Sequence, residues 1–276
     1  NANHANAMAD RLYEAVRGIA GIDAGARPAA NALFPVLPAA ATDGIKYEKL
    51  SASYDLISTE SVVKLMAGEG FMPTVANQLK PRKRDPRVVR HFVRMRHESY
   101  LKEINGSVPE IMVINANDGS SSLRMEAGLF RFVCSNGLIV KSQEIQSARI
   151  RHVDVTAERV LEEANRVIKS AQEAARRIDI FKQRVLNKNE EMQFSVLASA
   201  LWGGRVMPHT LLEARRPEDQ GADLWRVFNR VQENLIKGGV VGRSANGRNT
   251  RTHGIRAMDN TVKVNMKLWE IAEEML

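Results

Sequence analysis

The stretch between Pro109 and Val140 has the clearest pattern of apolar and polar positions, and the predicted fold is built around it. Glu110–Asn115 is a short apolar run, which is typical of a buried strand. Ser122–Ala127 alternates apolar and polar positions, which predicts a half-buried strand. The intervening Asn-Asp-Gly at positions 117–119 favours a tight turn, because these residues tolerate positive φ angles. A β-hairpin is therefore predicted here.

The remainder of this stretch fits more than one structure. Gly128–Asn136 could continue the second strand or form a short helix that ends at Gly137, and we favour the helix. Leu138–Val140 begins another strand. The fold class predicted from this pattern is α+β: an antiparallel β-hairpin sheet with a short inserted helix, followed by a long helix and a mostly helical C-terminal half.

Helical periodicity dominates the second half of the chain. From residue 154 to about residue 187, an apolar residue recurs every three or four positions, which predicts a helix of about 32 residues and about 48 Å. We favour packing of this helix within one chain over pairing with a second copy. Shorter helices are predicted at Glu190–Leu201, Ala222–Lys237 and Thr261–Leu276. Val240–Arg256, rich in glycine and arginine, is predicted to be a loop.

The pattern divides the chain into three parts. Residues 1–44 contain a predicted helix and an Ala/Pro-rich linker without periodicity. The α+β core is predicted at residues 45–153, and it includes a capped helix at Glu60–Ala67 and an extended segment at Phe71–Leu79. Residues 154–276 are predicted to form a helical half that packs on the core.

The composition is that of a globular chain of 276 residues, long enough to bury a full core. No apolar run approaches the roughly 18 residues needed to span a bilayer, and no secretory leader is recognisable. The single cysteine, Cys134, excludes an internal disulfide framework and fits a reducing cytoplasm. Cys134 lies in an apolar run, which favours a buried structural thiol over a nucleophile.

Most of the net charge of +8 lies in one segment, Lys80–His97. This segment has eight Lys and Arg residues against a single acid, Asp85. Its prolines predict a loop in the first half, and its second half alternates as a strand. One face of that strand is predicted to pack and the other to be cationic with one aromatic ring. The packing face carries Val89, His91, Val93 and Met95, and the cationic face carries Arg90, Phe92, Arg94 and Arg96.

Two further elements are cationic. Ser147–Val153 alternates in the same way, and if it shares a sheet with the first strand, its arginines line a common face with Arg124. A solvated sheet face and a binding surface explain this pattern equally well. The predicted loop at Val240–Arg256 has no acid. The predicted nucleic-acid-binding residues are therefore Lys80, Arg82, Lys83, Arg84, Arg87, Arg90, Phe92, Arg94, Arg96, Arg149, Arg151, Arg243, Arg248 and Arg251.

Several blocks of the sequence resemble the phage- and plasmid-borne family known as domain of unknown function 932. The resemblance rests on DGSSSLRMEAGLFRFVCSNGLIV at Asp118–Val140 and on ARIRHV at Ala148–Val153. It continues through LLEARRPEDQGADLWRVFNRVQENLIKGG at Leu211–Gly239 and the sequence from Gly247, and it extends from about Ile45 to the C-terminus. The resemblance implies a mobile-element protein in the cytoplasm of a bacterial host, and it implies no particular reaction.

No catalytic constellation is recognisable in the sequence. The six histidines lack the spacing of metal ligands on a helix, and one cysteine cannot build a thiolate zinc site, so neither metal nor cofactor is predicted. Phosphate-binding glycine motifs and the nucleophile-elbow motif are missing from the sequence. Glu110, Asp118 and Glu126 could form a Mg²⁺-binding nuclease set, but the turn explains Asp118 and an exposed strand face explains Glu126.

A second polar cluster lies beside the apolar stripe of Ala222–Lys237. We interpret it as a capping and salt-bridge network rather than a catalytic cluster. Its members are Glu218, Asp219, Asn229, Gln232, Glu233 and Asn234.

The remaining chemistry favours a non-enzymatic nucleic-acid-binding accessory protein that prefers single-stranded DNA and acts in recombination or strand annealing. Lys and Arg bind phosphates, and exposed rings such as Phe92 stack on bases. The sequence has no helix-turn-helix or zinc-finger pattern, so sequence-specific binding to a duplex is not predicted. The alternative is an interaction protein that blocks a host defence or replication protein, and a metal-dependent nuclease is third. A homo-oligomer is also possible on this pattern, whereas membrane insertion is not expected.

Overall fold

The computed structural model divides the chain into two compact units, which are described separately. The first comprises Asn1–Ser135 and Ile145–Gln172, and the second comprises Asn136–Glu144 and Glu173–Leu276. One point of this division lies within the predicted long helix, between Gln172 and Glu173. The predicted N-terminal part and Cys134 lie outside the described residues. The structure describes residues 58–78, 89–100, 107–119, 121–131, 137–139, 147–152, 156–255 and 257–276.

The first unit contains one short helix and an antiparallel sheet. Four strands, β1 (Phe71–Gln78), β2 (His91–His97), β3 (Ser107–Asn115) and β4 (Leu123–Arg131), are neighbours in sequence order, and β6 (Ala148–Ile150) pairs with β4 over three residues. A three-residue strand, β5, belongs to the second unit and contacts its last helix. The elements are α1 (Thr59–Gly68), β1 (Phe71–Gln78), β2 (His91–His97), β3 (Ser107–Asn115), β4 (Leu123–Arg131), β5 (Gly137–Ile139) and β6 (Ala148–Ile150).

The predicted hairpin is confirmed as the centre of this sheet. β3 is buried along its whole length, and Val113 pairs with Met125 in β4. Gly119, in the turn between the strands, has a φ angle of 75°, a conformation that glycine adopts without steric cost. The apolar positions predicted for β4, including Leu123 and Met125, are fully buried. The α+β class is also confirmed.

The short helix predicted at Gly128–Asn136 is wrong over its first four residues. β4 continues to Arg131, and Leu129 lies opposite Pro109 in β3. The local sequence suits either structure, but β3 begins at Ser107 and provides a hydrogen-bonding partner for the longer strand. Residues 132–136 lie outside the described residues.

Helix α1 begins where its capping signal predicts. The Ser58 hydroxyl accepts a hydrogen bond from the backbone N–H of Ser61 at 3.0 Å, which satisfies one of the free amides at the helix N-terminus. Val62, Val63 and Met66 form its buried stripe.

One face of the sheet contains a buried polar relay that connects α1 to β2 and β3. His91 Nδ1 lies 2.9 Å from the carbonyl oxygen of Val89, so this nitrogen carries the proton and donates. His91 Nε2 then accepts from the Thr59 hydroxyl at 2.6 Å, and that hydroxyl accepts from the Asn115 amide at 3.1 Å. The relay is complete only while His91 is neutral.

The other face of the sheet contains a buried ion cluster. Glu110 in β3 is fully buried, and its Oε1 accepts a hydrogen bond from Arg94 Nε at 2.6 Å. Its Oε2 lies 3.5 Å from Arg96 Nε. Burial lowers the pKa of Arg96, an effect that the charge of Glu110 opposes. Charges removed from water in this way need partners, and Glu110 is placed between the two arginines.

The second unit is mostly helical. Helix α2 begins in the first unit and ends in the second. A 3₁₀ turn lies at Pro217–Asp219. The elements are α2 (Ala157–Gln183), α3 (Lys188–Leu201), α4 (Pro208–Leu211), α5 (Leu224–Lys237), β7 (Gly238–Arg243), β8 (Asn249–His253) and α6 (Met258–Glu274).

An aromatic cluster forms the core of the helical unit. Phe228 of α5 stacks on Trp225 with ring centroids 5.7 Å apart. It also meets Phe194 of α3 and Trp269 of α6 edge-on, at 6.3 and 6.0 Å. Phe181 near the end of α2 lies 4.9 Å from Trp269. Four helices thus contribute rings to one cluster, and offset and edge-on contacts of this kind are favourable beyond simple burial.

Helix α2 is shorter than predicted. It has 27 residues, about 40 Å at 1.5 Å per residue, and it ends at Gln183 rather than near Asn187. Asn187 instead caps α3, accepting from the backbone N–H groups of Asn189 and Glu190. Leu186 donates its N–H to the carbonyl of Ala222 at 2.8 Å, so the chain is extended between the helices. In the described part of the chain, no helix combines the length and the apolar character needed to cross a membrane.

The loop predicted at Val240–Arg256 is also wrong over most of its length. β7 and β8 form a two-stranded antiparallel ribbon there. No apolar alternation marks β8, since its side chains lie at the surface on both faces. Hydrophobic periodicity therefore could not reveal it.

Acid is expected to destabilise the protein through His91. Burial lowers the pKa of His91 from its ordinary 6.5 to about 4. Below pH 6.5 the His91 side chain of the unfolded chain becomes protonated, whereas in the folded protein it stays neutral down to about pH 4. The contribution of neutral His91 to the free energy of unfolding is therefore fully present above pH 6.5. Below pH 6.5 the free energy of unfolding falls by about 1.4 kcal/mol per pH unit. Urea unfolding at pH 6.5 and pH 5 measures this loss, about 2 kcal/mol from this residue.

The matched variant is His91→Gln, which keeps a neutral hydrogen-bonding side chain without a titration in this range. Its free energy of unfolding should fall about 2 kcal/mol less than that of the wild type over the same pH interval. Equal losses in the two proteins would show that His91 titrates normally.

Glu110→Gln is expected to destabilise the fold by about 3 kcal/mol, because it removes the carboxylate charge that lies between two buried guanidinium groups. The control is Glu173→Gln, which removes an exposed ion pair to Arg176 and should cost less than about 1 kcal/mol. Urea unfolding at pH 7 compares the two. A similar small loss for both variants would mean that the sheet does not depend on the Glu110 charge.

Candidate nucleic-acid interface

The sequence-predicted site residues fall in three places along the chain. The first set precedes β2 in the sequence and lies outside the described residues. The second set lies on the sheet of the first unit, and the third lies on the β7–β8 ribbon of the second unit. The residues outside the described ranges are Lys80, Arg82, Lys83, Arg84 and Arg87.

The cationic outer face predicted for β2 is wrong. Arg94 and Arg96 are only 6% and 4% exposed, and both face Glu110. Arg90 and Phe92 are half-buried. The two faces of β2 alternate as predicted, but the acid that neutralises the arginine-bearing face comes from β3. Glu126, predicted to lie on an exposed face, is also buried.

A smaller basic patch lies at the far edge of the same sheet. Arg124 of β4 pairs directly with Arg149 of β6, so the predicted common face of these two arginines is confirmed. Arg149 and Arg151 are exposed, while Arg124 is half-buried with a guanidinium nitrogen 3.9 Å from Glu126. This patch has two exposed cations.

The β7–β8 ribbon carries exposed positive charge that no acid of its own sequence balances. Arg243, Arg248 and Arg251 are all exposed, and the sequence from Gly238 to Ile255 contains no Asp or Glu. Arg243 pairs with Asn249, and Val241 pairs with Arg251, so Arg243 and Arg251 lie diagonally on one face. Arg248 lies at the tip, where its N–H donates to the Ser244 hydroxyl at 3.1 Å.

A fourth arginine, Arg205, lies on the same face, next to a residue that pairs with β7. Val206 forms an antiparallel bridge with Gly242, and the Arg243 N–H donates to the carbonyl of Arg205 at 2.7 Å. Arg205 is therefore directly opposite Arg243, and opposite residues of a ladder project to the same side. We name the set Arg205, Arg243, Arg248 and Arg251 the arginine face.

The arginine face is not neutralised within the part of the chain that the structure describes. None of its four side chains forms an ion pair there. Arg251 donates to the carbonyl of Gly239 at 2.7 Å, which orients its guanidinium group but adds no opposing charge. Like charges directly opposite each other destabilise a ladder. An arrangement that brings Arg205 and Arg243 together is suited to binding an anion.

The base of the ribbon is held tightly against α5. Gly238 has a φ angle of 67°, and a Cβ there would lie 2.5 Å from the backbone nitrogen of Gly254. The Ile255 N–H donates to the carbonyl of Ile236 at 2.8 Å, so both ends of the ribbon are attached to the last turn of α5. The arginine face therefore has a rigid support.

The polar cluster on α5 provides further support and acts as the predicted capping and salt-bridge network. Asn234 accepts from Arg215 Nε at 2.5 Å and donates to the carbonyls of Leu211 and Glu213. The same Arg215 donates to the carbonyl of Gly238 at the start of β7. The network thus connects the segment after α4 to the ribbon.

Glu233 is the charged centre of the same network. It accepts hydrogen bonds from Arg216 at 2.8 Å and from Lys237 at 2.5 Å. Burial alone would raise the pKa of Glu233, but these two cations lower it below its ordinary value. Glu233 is therefore a charged structural partner and not a proton donor at neutral pH.

The donor sets in the described residues do not suit a metal ion. No group of three or more His, Cys, Asp or Glu side chains in those ranges lies close enough to bind one. Of the acids considered for a nuclease site, Glu110 is bound by Arg94 and Arg96, and Asp118 lies in the β3–β4 turn.

Sequence reasoning identified three members of the arginine face but missed Arg205. A single arginine after Gly203 and Gly204 gives no local signal. Its place opposite Arg243 depends on the bridge between Val206 and Gly242, which joins segments 36 residues apart.

The comparisons with known proteins agree with the resemblance seen in the sequence. Residues 46–269 match the family described as Domain of unknown function (DUF932). Two relatives in Escherichia coli strain K12, the UPF0380 proteins YfjQ and YafZ, are each 35% identical over 252 residues, covering 88% of this chain and 90% of the relative. No solved structure matches the chain. The chain therefore belongs to the DUF932 family.

Proposed function

We propose that this protein binds nucleic acid through the phosphate backbone, without reading base sequence, and that the arginine face is the binding surface. The observation that carries the proposal is the pairing of Arg205 with Arg243 on a rigid ribbon that has no acid between Gly238 and Ile255. Guanidinium groups bind phosphate oxygens in bidentate geometry, and each contact releases a condensed counterion.

The shape of the element supports the same proposal. A two-stranded β-ribbon fits a groove of duplex DNA and also fits along a single strand. Helix α5 cannot serve as a recognition helix, because almost every residue from Leu224 to Leu235 is buried. Specific reading of a duplex by this helix is therefore not part of the proposal.

We propose single-stranded DNA as the preferred ligand and an accessory role in recombination or strand annealing. We propose that it plays this role in a mobile element within a bacterial cytoplasm, and the resemblance of its sequence to phage- and plasmid-borne proteins supports this. Buried Arg94 and Arg96 have no part in binding in this proposal. Arg149 and Arg151 remain candidate contacts on the first unit.

A second candidate function, binding of a host protein, is favoured by one observation. Helix α3 exposes Met192, Val196 and Leu197, which are 40%, 49% and 39% exposed, and Met192 and Val196 are neighbours one helical turn apart. Exposed apolar side chains grouped on one helix face are typical of interaction surfaces. The two functions are separable, since a protein partner survives nuclease treatment of a lysate and a nucleic acid does not.

The test of the arginine face is the triple variant Arg243→Gln, Arg248→Gln, Arg251→Gln. Loss of three phosphate contacts should weaken binding to a labelled single strand at least tenfold at about 0.1 M salt, and should reduce the slope of log affinity against log salt by about 2. Fluorescence anisotropy across a salt series measures both quantities.

The matched control is the triple variant Arg159→Gln, Lys169→Gln, Arg176→Gln, which removes the same charge from exposed positions on α2. It should change the affinity and the slope only slightly. If both triple variants weaken binding equally, the interaction depends on net charge and not on the arginine face. If the wild-type protein binds no nucleic acid at low salt, the proposed function is wrong and the α3 surface becomes the leading candidate.

A further inference from the structure

A surface cavity lies within the second unit, beside the segment of chain that leads to Arg205. Its volume is about 90 Å³, and it lies where the end of α3 meets α6. Val264, nearly fully buried, and half-buried Leu201 give it apolar walls, and exposed lysines lie at its rim. Its lining consists of Leu201, Trp202, Asn260, Lys263, Val264 and Lys267.

Trp202 distinguishes this cavity from the rest of the surface. Trp225 and Trp269 are buried in the aromatic cluster, whereas Trp202 is half-buried and lines the opening. Its backbone N–H closes α3 on the carbonyl of Ser199 at 3.0 Å. The side chain is therefore carried by the end of a rigid helix.

The cavity and the arginine face are joined by a very short piece of chain. Gly203 and Gly204, with φ angles of 76° and 66°, reverse the chain after Trp202 and lead directly to Arg205. Three residues span at most about 11 Å even when fully extended. A chain molecule bound along the arginine face thus reaches the cavity within a few of its own units.

The side chains that line the cavity could contact both the base and the phosphate of one nucleotide. An indole ring stacks on any base, since every base presents a π-face. The Asn260 amide has both donors and an acceptor for a base edge. Lys263 forms no ion pair in the described part of the chain and is available for a phosphate. Lys267 is bound to Glu270 at 2.5 Å, so it contributes less net charge.

We propose that this cavity is a base-binding subsite for single-stranded nucleic acid, and that stacking on Trp202 produces the preference for single strands. This inference rests on the proposed function of the arginine face. A duplex keeps its bases stacked inside, and extruding one costs free energy, so only an unpaired base enters the cavity freely. The arginine face supplies affinity for either form, and the cavity discriminates between them.

The experiment measures the affinities of a labelled thymidine 20-mer and of a 20-base-pair duplex by fluorescence anisotropy. Trp202→Ala should weaken binding of the single strand about tenfold, the effect of losing one stacked base. Duplex binding should stay within about twofold of wild type. Trp202→Phe, which keeps an aromatic ring, should restore most of the single-strand affinity.

Two further measurements separate stacking from a structural effect. Quenching of intrinsic fluorescence by the thymidine 20-mer should be present in wild type and lost in Trp202→Ala, because the other tryptophans are buried. Lys263→Gln should lower the salt slope by about 0.7, with Lys169→Gln on α2 as the unchanged control.

The outcomes distinguish this subsite from the proposed function. If wild type binds both nucleic acids and Trp202→Ala keeps the ratio of their affinities, the subsite is wrong while nucleic-acid binding stands. If Trp202→Ala weakens both equally, Trp202 is a structural residue. Quenching by a peptide of alternating aspartate and leucine, but not by the thymidine 20-mer, would assign the cavity to a protein partner.

Discussion

The close approach of two glycines at the end of α5 is the constraint on which the candidate site depends. Gly238 and Gly254 lie so near each other that a single Cβ at Gly238 would meet the backbone of Gly254 at 2.5 Å. This contact brings both strands of the ribbon onto the last turn of one buried helix. The ribbon itself has almost no apolar contacts along β8, so its position comes from this backbone packing and from the Arg215–Asn234 network. The arginines are exposed, but their support is buried.

The two units use charge in opposite ways. In the sheet of the first unit, Arg94 and Arg96 are buried around Glu110, and their role is to complete a closed ion cluster. In the ribbon of the second unit, Arg205 and Arg243 oppose each other in water without an acid between them. The first arrangement is stable only with its anion inside the protein. The second leaves the anion to be supplied from outside, which is the physical basis of the proposed phosphate binding.

The proposed function combines two effects of different kinds. Phosphate binding by the arginine face is long-ranged, weakens with salt and does not distinguish single from double strands. Stacking in the Trp202 cavity is short-ranged and requires an unpaired base. The short segment from Trp202 to Arg205 makes the two surfaces contiguous, so one strand can use both. The exposed apolar residues of α3 lie outside this arrangement and provide a separate surface.

The sequence by itself determined the α+β class, the β3–β4 hairpin, most helix boundaries and the family, because turn chemistry, capping residues and apolar periodicity are local signals. It also identified Arg243, Arg248 and Arg251 as cationic. Tertiary structure alone decided that Arg94 and Arg96 are buried, since the neutralising acid lies on another strand. It likewise decided that Val240–Arg256 contains a ribbon and that Arg205 joins it. These features depend on pairing between distant segments, which no local pattern encodes.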